Sequence, residues 1–351
     1  MAGDLTNDLD AVLALTEPIW PSLRGKRIFI TGGTGFMGKW LLESLAHANR
    51  RLGAGITAVV LTRDPAGFKT RHPQLVQDPA FRFLGGDVTA HLPALDGPFD
   101  MAIHAATDAS AQLNLNEPLR MFDTIVGGTR RVLEWCVDRQ VPRLLFLSSG
   151  AVYGVQPPDL ERVSESYRGA PDCTDPQGAY AQGKRAAEGL CSLFAQQHGL
   201  EIPIARCFAF VGPHLPLDTH FAIGNFIRDA MGGGPIIVKS DGSPVRSYLY
   251  ASDMAGWLLT LLVRGDSLAP VNVGSGEPVS IRQLAETVAT TLGDCPWQVL
   301  GVPPDPSALP ARYVCDVTMA RERRGLQQTV GLEEAILRTA TWHGWKKGEL
   351  R

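Results

Sequence analysis

The sequence predicts an α/β fold: a doubly wound parallel sheet with a smaller, discontinuous C-terminal lobe. Three observations predict it. A short apolar run, Arg27-Ile28-Phe29-Ile30-Thr31, leads directly into a glycine-rich turn and then a helical pattern. Strand-length apolar runs go on alternating with helical runs up to about residue 212, as parallel strands covered on both faces require. Beyond Pro213 the texture changes to short pieces between loops rich in Pro, Gly and polar residues.

In chain order, residues 1–24 read as a helical extension. Asn7 or Asp8 is placed to cap it, Leu9, Val12 and Leu13 share one face, and Pro18 ends it. Residues 25–212 hold the sheet. Strands are expected at 27–31, 56–61, 81–84, 101–106 and 144–147, with strong helices at 36–48 and 118–139 and a loop through Pro65, Gly67 and Pro73. Residues 213–351 form most of the second lobe, and the chain near 245–275 returns to the first. Loops are expected at 214–219 and 231–235, a late strand at 271–273, and a proline-rich surface connection at 301–310. A last helix is expected over Leu332–Trp342. No internal repeat or low-complexity tract interrupts this order.

Composition bounds the function. The 351 residues fit about two domains and bury roughly three quarters of the unfolded surface, so neither disulfide nor metal is needed for a core. With 44% hydrophobic and 20% charged residues the chain is globular, and its net charge of −3 offers no field for nucleic acid. The six cysteines, Cys136, Cys173, Cys191, Cys207, Cys295 and Cys315, form no CxxC pair and no Cys/His ligand set. No metal is expected, and a reducing cytoplasm is the expected compartment. The first residues carry Asp4, Asp8, Asp10 and Glu17 rather than a basic start and an apolar run, which is no signal peptide. No apolar stretch approaches the ~18 residues that span a bilayer, so no membrane insertion is expected.

The glycine turn reads Thr31-Gly32-Gly33-Thr34-Gly35-Phe36-Met37-Gly38. Residues without Cβ turn sharply and let a pyrophosphate approach the backbone, and the helix that follows offers its unpaired N–H groups. A mere tight turn is the alternative, but the strand before and the helix after favour dinucleotide binding. The turn is a near miss for an ATPase loop: Gly33, Gly38 and Lys39 match, but Trp40 stands where a hydroxyl must hold Mg²⁺. At the end of the second strand, Arg63 suits the extra phosphate of NADP, while Asp64, one residue later, keeps NAD open. Asp87 after Gly85-Gly86, with Val88, is a candidate for the adenine end, or an Asx turn.

Tyr180-Ala181-Gln182-Gly183-Lys184 puts a phenol and an ammonium one helical turn apart. A phenol ionises near pH ~10, and an adjacent positive charge lowers that value, making a proton shuttle for a hydroxyl. A surface helix pair is the plain alternative. Upstream, Ser149 stands at a strand end in Leu147-Ser148-Ser149-Gly150-Ala151-Val152-Tyr153-Gly154. Its hydroxyl can hold the reacting oxygen or simply close a turn. It lies outside any G-x-S-x-G, so a serine hydrolase is not indicated.

Taken together, these residues resemble the extended short-chain dehydrogenase/reductase family, the nucleotide-sugar epimerases and dehydratases. The likeness runs over residues 25–342. It rests on Gly32 to Gly38, Gly86-Asp87, His104-Ala105-Ala106, Ser149 with Val152-Tyr153-Gly154, Tyr180 with Lys184, Arg206, Gly212-Pro213, Arg246 and Asp253. It implies a Rossmann domain and a small lobe for a nucleoside diphosphate sugar, with Ser149, Tyr180 and Lys184 as the triad. The implied NAD(P) contacts are Gly32, Thr34, Gly35, Phe36, Met37, Gly38, Arg63, Asp87, Val88, His104, Ala105 and Ala106, besides Tyr180 and Lys184. Asn225, Arg246 and Arg312 are the implied substrate contacts, with a solvated loop the alternative for Arg312, and Asp253 resembles a structural helix cap. A homodimer through the helices near 118–139 and 179–197 is also implied.

Three departures shape the expected chemistry. Ile125 and Ala209 stand where the family often has Asn. Where the 4,6-dehydratases resemble Asp-Glu after their triad hydroxyl, this chain has Gly150 and Ala151, which neither give nor take a proton. The decarboxylase branch usually has a Glu nearby, so it too is disfavoured. The expectation is therefore hydride removal and return at sugar C4, a 4-epimerase. NADPH-dependent reduction of a 4-keto sugar is the alternative that Arg63 supports. A dinucleotide sensor without turnover is opposed by the presence of both Tyr180 and Lys184.

Overall fold

The computed structural model describes residues 3–107, 111–219, 221–302 and 309–346. Helices α1 (Thr6–Leu15) and α2 (Trp20–Leu23) precede the sheet. α1 begins before the expected caps: Asp4 Oδ1 accepts from the Thr6 N–H (2.9 Å) and hydroxyl (2.6 Å). It also stops short of Pro18, which opens a separate 3-10 turn. Asp8 is buried instead, because its carboxylate accepts from the Tyr250 hydroxyl and the Arg338 guanidinium, each at 2.6 Å.

The first part of the chain runs β1 (Arg27–Thr31), α3 (Phe36–Leu52), β2 (Thr57–Thr62), α4 (Pro65–Arg71), α5 (Pro73–Gln77), β3 (Phe81–Gly85), β4 (Met101–His104), α6 (Ala111–Asn116), α7 (Pro118–Asp138), β5 (Leu144–Ser149), α8 (Ala179–His198) and β6 (Ile204–Cys207). The expected loop through Pro65 and Pro73 is in fact α4 and α5. Each proline sits in a first helical turn, where a missing N–H is harmless, and the Asp64 side chain accepts from the Gly67 N–H (2.8 Å) as a cap.

Then follow β7 (Phe210–Val211), α9 (Ala222–Met231), β8 (Ile236–Val238), β9 (Val245–Arg246), β10 (Leu249–Tyr250), α10 (Ala251–Arg264), β11 (Pro270–Val273), β12 (Val279–Ser280), α11 (Ile281–Thr291), β13 (Trp297–Val299), β14 (Arg312–Tyr313), α12 (Thr318–Arg324) and α13 (Leu332–Trp342). Of the expected connection at 301–310, residues 303–308 lie outside the described residues. Among the described residues, seven parallel strands form one sheet in the order β11-β6-β5-β4-β1-β2-β3. The order reverses between β1 and β4, and a crevice opens beyond their C-terminal ends. Ile28, Phe29 and Ile30 are fully buried because helices cover both faces. A second core, with Ile223, Ile227, Leu284, Val288 and Ile336, sits under the short sheets of the later segments.

Asp253 is not the cap of its own helix. It lies buried in the first turn of α10 and accepts from the Thr329 N–H (2.8 Å), the Thr329 hydroxyl (2.5 Å) and the Val330 N–H (3.2 Å), clasping the lead into α13. None of the helices among the described residues is long and apolar enough to cross a membrane.

Two buried histidines set a pH limit on the fold. His104 lies between the hydroxyls of Thr31 (2.7 Å) and Thr129 (3.1 Å), and burial pushes its pKa down to about 3. Burial and the nearby Lys39 charge push His214 down to about 3 as well. The unfolded chain takes up protons near pH ~6.5 and the folded one does not, so stability is intact above that pH and falls as pH drops toward 3. Denaturation midpoints between pH 7.5 and 4.5 should show a loss of up to about 2.7 kcal/mol per pH unit for the pair. A flat profile would contradict their buried, neutral state.

Candidate active site

The glycine turn is forced by its neighbours. Gly32 has φ +72°, and a Cβ there would lie 2.5 Å from the backbone of Ala105 and Ala106. A Cβ on Gly38 would lie 2.4 Å from the Gly32 carbonyl. Gly35 precedes α3, whose first turn no side chain caps, so backbone N–H groups and the positive helix end stand ready for an anion. These residues fit a dinucleotide pyrophosphate. Thr34 meets the Thr62 hydroxyl at 3.2 Å, Phe36 stacks on Phe210 at 6.5 Å, and Met37 is packed against the core. Trp40 is buried with its indole donating to the Pro213 carbonyl (2.8 Å), a packing role.

Beyond β2 and β3, Arg63, Asp87 and Thr89 line a cavity of about 690 Å³ with Arg120, Asp123 and Arg131 of α7. Asp87 closes an Asx turn: the Thr89 N–H and hydroxyl both donate to it at 2.8 Å, and the backbone bond chiefly holds its carboxyl below the usual range. Val88 packs on Gly128, where a Cβ would come within 2.9 Å of it. Asp64 is taken up by its capping bond and by Arg71 at 3.6 Å. The His104 side chain points into the core between its two threonines, so only its backbone borders the turn.

Ser149 ends β5, and its Oγ accepts from the Ala151 N–H (3.2 Å). Tyr180 begins α8, positioned by α6 through an N–H bond to Asn114 Oδ1 (3.0 Å). The Tyr180 phenol interacts with the Ser149 hydroxyl. Lys184 lies one turn further and is buried. Its Nζ donates to the Leu147 carbonyl (2.7 Å), over the Phe146 ring at 5.2 Å, and burial pushes its pKa down to about 8. The expected ammonium-driven acidity of Tyr180 is corrected here. Burial raises the phenol, and the group opposing that rise is Ser149 rather than Lys184, whose charge is tied to a strand-end carbonyl.

Gly150 also has a physical reason. A Cβ there would sit 2.6 Å from the Phe208 ring, so any side chain at that position requires the ring to move. Among the substrate candidates, Asn225 on α9 accepts from Arg228 (3.1 Å), and Arg246 on β9 donates to its neighbour's carbonyl (2.9 Å). The register pairs Arg312 with Val245 and Tyr313 with Arg246. Arg246 and Tyr313 therefore share one face of that sheet and Arg312 takes the other, with its Nε buried and unpaired. The structure does not bring Arg246 and Arg312 to one face. Sequence reasoning passed over Tyr313, which interacts with Ser149, and Phe208, which stacks on it at 4.7 Å. The one signal was proximity to Arg312.

Fold and site define a dinucleotide-dependent enzyme of the extended short-chain dehydrogenase/reductase type. The comparisons carry this further. The model of the NAD dependent epimerase/dehydratase family matches residues 28–274, and the chain belongs to that family. It is 31% identical over 311 residues to UDP-glucuronic acid decarboxylase 6 of Arabidopsis thaliana, covering 88% of this chain and 86% of that protein. It is 29% identical to UDP-glucuronic acid decarboxylase 1 of Xenopus tropicalis, covering 90% and 71%. A UDP-glucose 4-epimerase of Thermus thermophilus, solved in complex with NAD, is similar at TM-score 0.73 and 26% identity, covering 91% of this chain and 99% of that one. A dTDP-glucose 4,6-dehydratase from Streptomyces venezuelae, solved with NAD, shares the fold at TM-score 0.77 and 24% identity, covering 90% and 96%.

Proposed function

We propose that the chain removes the C4 hydride of a nucleoside diphosphate sugar, and that the sugar is a uronic acid which then loses its carboxylate. The observation that carries the first step is the Ser149–Tyr180 contact, with Lys184 one turn away, at the mouth of the glycine-turn crevice. Tyr180 takes the C4 hydroxyl proton, Ser149 donates to the same oxygen, and Lys184 holds positive charge beside them. Bound NAD(P) would supply the hydride acceptor.

The 4-keto uronic acid so formed is a β-keto acid. Its C5–C6 bond breaks, CO₂ leaves, and the electron pair passes to the C4 oxygen; C5 then takes a proton from water, C4 regains the hydride, and Tyr180 returns the proton to the C4 oxygen, so a pentose results. That step needs no acid at positions 150 and 151, so Gly150 and Ala151 do not oppose it. Dehydration needs an acid and a base across C5 and C6 and stays without its catalysts. The two UDP-glucuronic acid decarboxylases support this branch over the epimerisation that the sequence alone ranks first. Epimerisation at C4 is the second reading, favoured by the same two small residues and by the likeness to the UDP-glucose 4-epimerase. Purified protein incubated with NAD(P) and UDP-glucuronate should release CO₂ and a pentose nucleotide, read by mass spectrometry. Interconversion of UDP-glucose and UDP-galactose with no CO₂ release would select the second reading, and no conversion of either would overturn both.

Arg63 supports acceptance of NADP, because it lines the cavity beyond β2. Charge-assisted bonds of this kind contribute about 1.5–3 kcal/mol. Arg63→Ala should weaken NADP binding by about 10- to 100-fold and leave NAD within about twofold, measured by fluorescence titration. Equal losses for both cofactors would assign Arg63 to packing.

A further inference from the structure

Tyr180, Lys184 and Glu188 stand one turn apart on α8 and form one stripe along it. The last two reach neighbouring residues at the end of β5. Lys184 Nζ donates to the Leu147 carbonyl (2.7 Å), and the Ser148 hydroxyl donates to Glu188 Oε1 (2.6 Å). Arg206 on β6, the register partner of Ser148, reaches the same carboxylate, its Nε donating to Oε1 (3.0 Å) and its Nη2 to Oε2 (2.6 Å). This ion pair is largely buried, with side-chain exposures of 14% for Arg206 and 13% for Glu188. Charged, two-pronged bonds of this kind fix orientation as well as distance. The backbone ladder already holds β5 to β6, so what the carboxylate adds is the height and rotation of the helix above both strands.

We propose that Glu188 is a positioning residue for Lys184: by joining α8 to Ser148 and Arg206 it seats the lysine's ammonium on the Leu147 carbonyl. Lysine carries its ammonium on a flexible four-carbon stem, and one bond to a neutral carbonyl is a weak hold on such a stem. The next turn of helix, locked to the next residue of the strand, sets where the stem begins. The same carboxylate supports the charge. Burial pushes Lys184 down to about 8, and Glu188 is among the groups that oppose this. The other titratable groups around the lysine are Tyr180 and Cys191 on α8, His104 on β4 and Cys207 on β6. Burial raises the phenol and both thiols and lowers the imidazole, so each favours its neutral form. The inference rests on the hydride reading for its kinetic consequence, but the ionisation of Lys184 is testable on the protein alone.

The test is the ionisation of Lys184, followed by NMR on protein with isotope-labelled lysines, the signal assigned by its loss in Lys184→Met. Ser148→Ala removes the strand's hold and leaves the Arg206 pair intact, whereas Glu188→Gln removes the charge as well. Lys184 should lose its proton about one pH unit lower than in the parent in Glu188→Gln, and about half a unit lower in Ser148→Ala. With NAD(P) and nucleotide sugar, the basic limb of kcat/KM should move down by the same amounts. At about pH 9 that is roughly a tenfold and a threefold loss, and at about pH 6 almost none. A bond that serves the fold alone would cost stability and move neither titration. In a Lys184→Met background, adding Ser148→Ala should cost no further rate. An unmoved Lys184 titration in either folded variant, or a further loss in that background, would overturn the proposal. Should Glu188→Gln fail to fold, Ser148→Ala decides alone. An inactive parent protein whose Lys184 titration still responds to Ser148→Ala would sink the hydride reading and leave this one standing.

Discussion

Tyr180→Phe is expected to bind NAD(P) about as well as the parent chain and to turn over nucleotide sugar roughly 10²- to 10⁴-fold more slowly. The ring remains in place beside α6, because the backbone N–H bond to Asn114 and the packing on the first core do not involve the hydroxyl. What is lost is the hydroxyl that meets Ser149 and takes the C4 proton. Without it the proton leaves to water while the hydride departs, and a positioned acid–base group accounts for about that factor. Steady-state kinetics beside cofactor titration separates the two effects. A variant that keeps more than about a tenth of the parent rate would remove Tyr180 from the chemistry.

Gly38→Ala is expected to abolish measurable dinucleotide binding and to destabilise the fold. A single methyl group would sit 2.4 Å from the Gly32 carbonyl and 2.4 Å from Gly33 Cα, both backbone atoms that cannot rotate away. α3 must then back off from the turn, and the N–H groups of its first turn leave the line of the crevice. Overpacking of this kind costs about 1–3 kcal/mol. Gly189→Ala is the control: on α8, with nothing within 4 Å of the added methyl, it should stabilise by about 0.5–1 kcal/mol. Calorimetry and cofactor titration on the pair check both halves. Retained binding in Gly38→Ala would show that the pyrophosphate does not rest on this turn.

How much of this was legible in the sequence depended on distance along the chain. The turn from Gly32 to Gly38 and the helix at Leu332–Trp342 were readable because neighbouring residues decide them. The helix at Pro65–Arg71 was not, since its proline and glycine signal a loop unless Asp64 is seen to cap it. Asp8 looked like a local cap, yet its partners are Tyr250 and Arg338, in segments that only folding brings near. At the site, Tyr180 and Lys184 were found by their helical spacing, but the carbonyl that accepts the lysine's hydrogen bond belongs to Leu147 on another element. Tyr313 and Phe208 carry no motif, because strand pairing and ring packing place them.

The central claim is that C4 of the sugar surrenders a hydride at this site. Its most direct test is a reaction of enzyme and NAD(P) with UDP-glucuronate deuterated at C4, quenched in acid at successive times within the first turnover, followed by mass spectrometry of the cofactor. Deuterium on the nicotinamide and a slowed first step are the expected result. Conversion of the sugar with no deuterated, reduced nicotinamide at any time and no isotope effect on the first step would contradict the account.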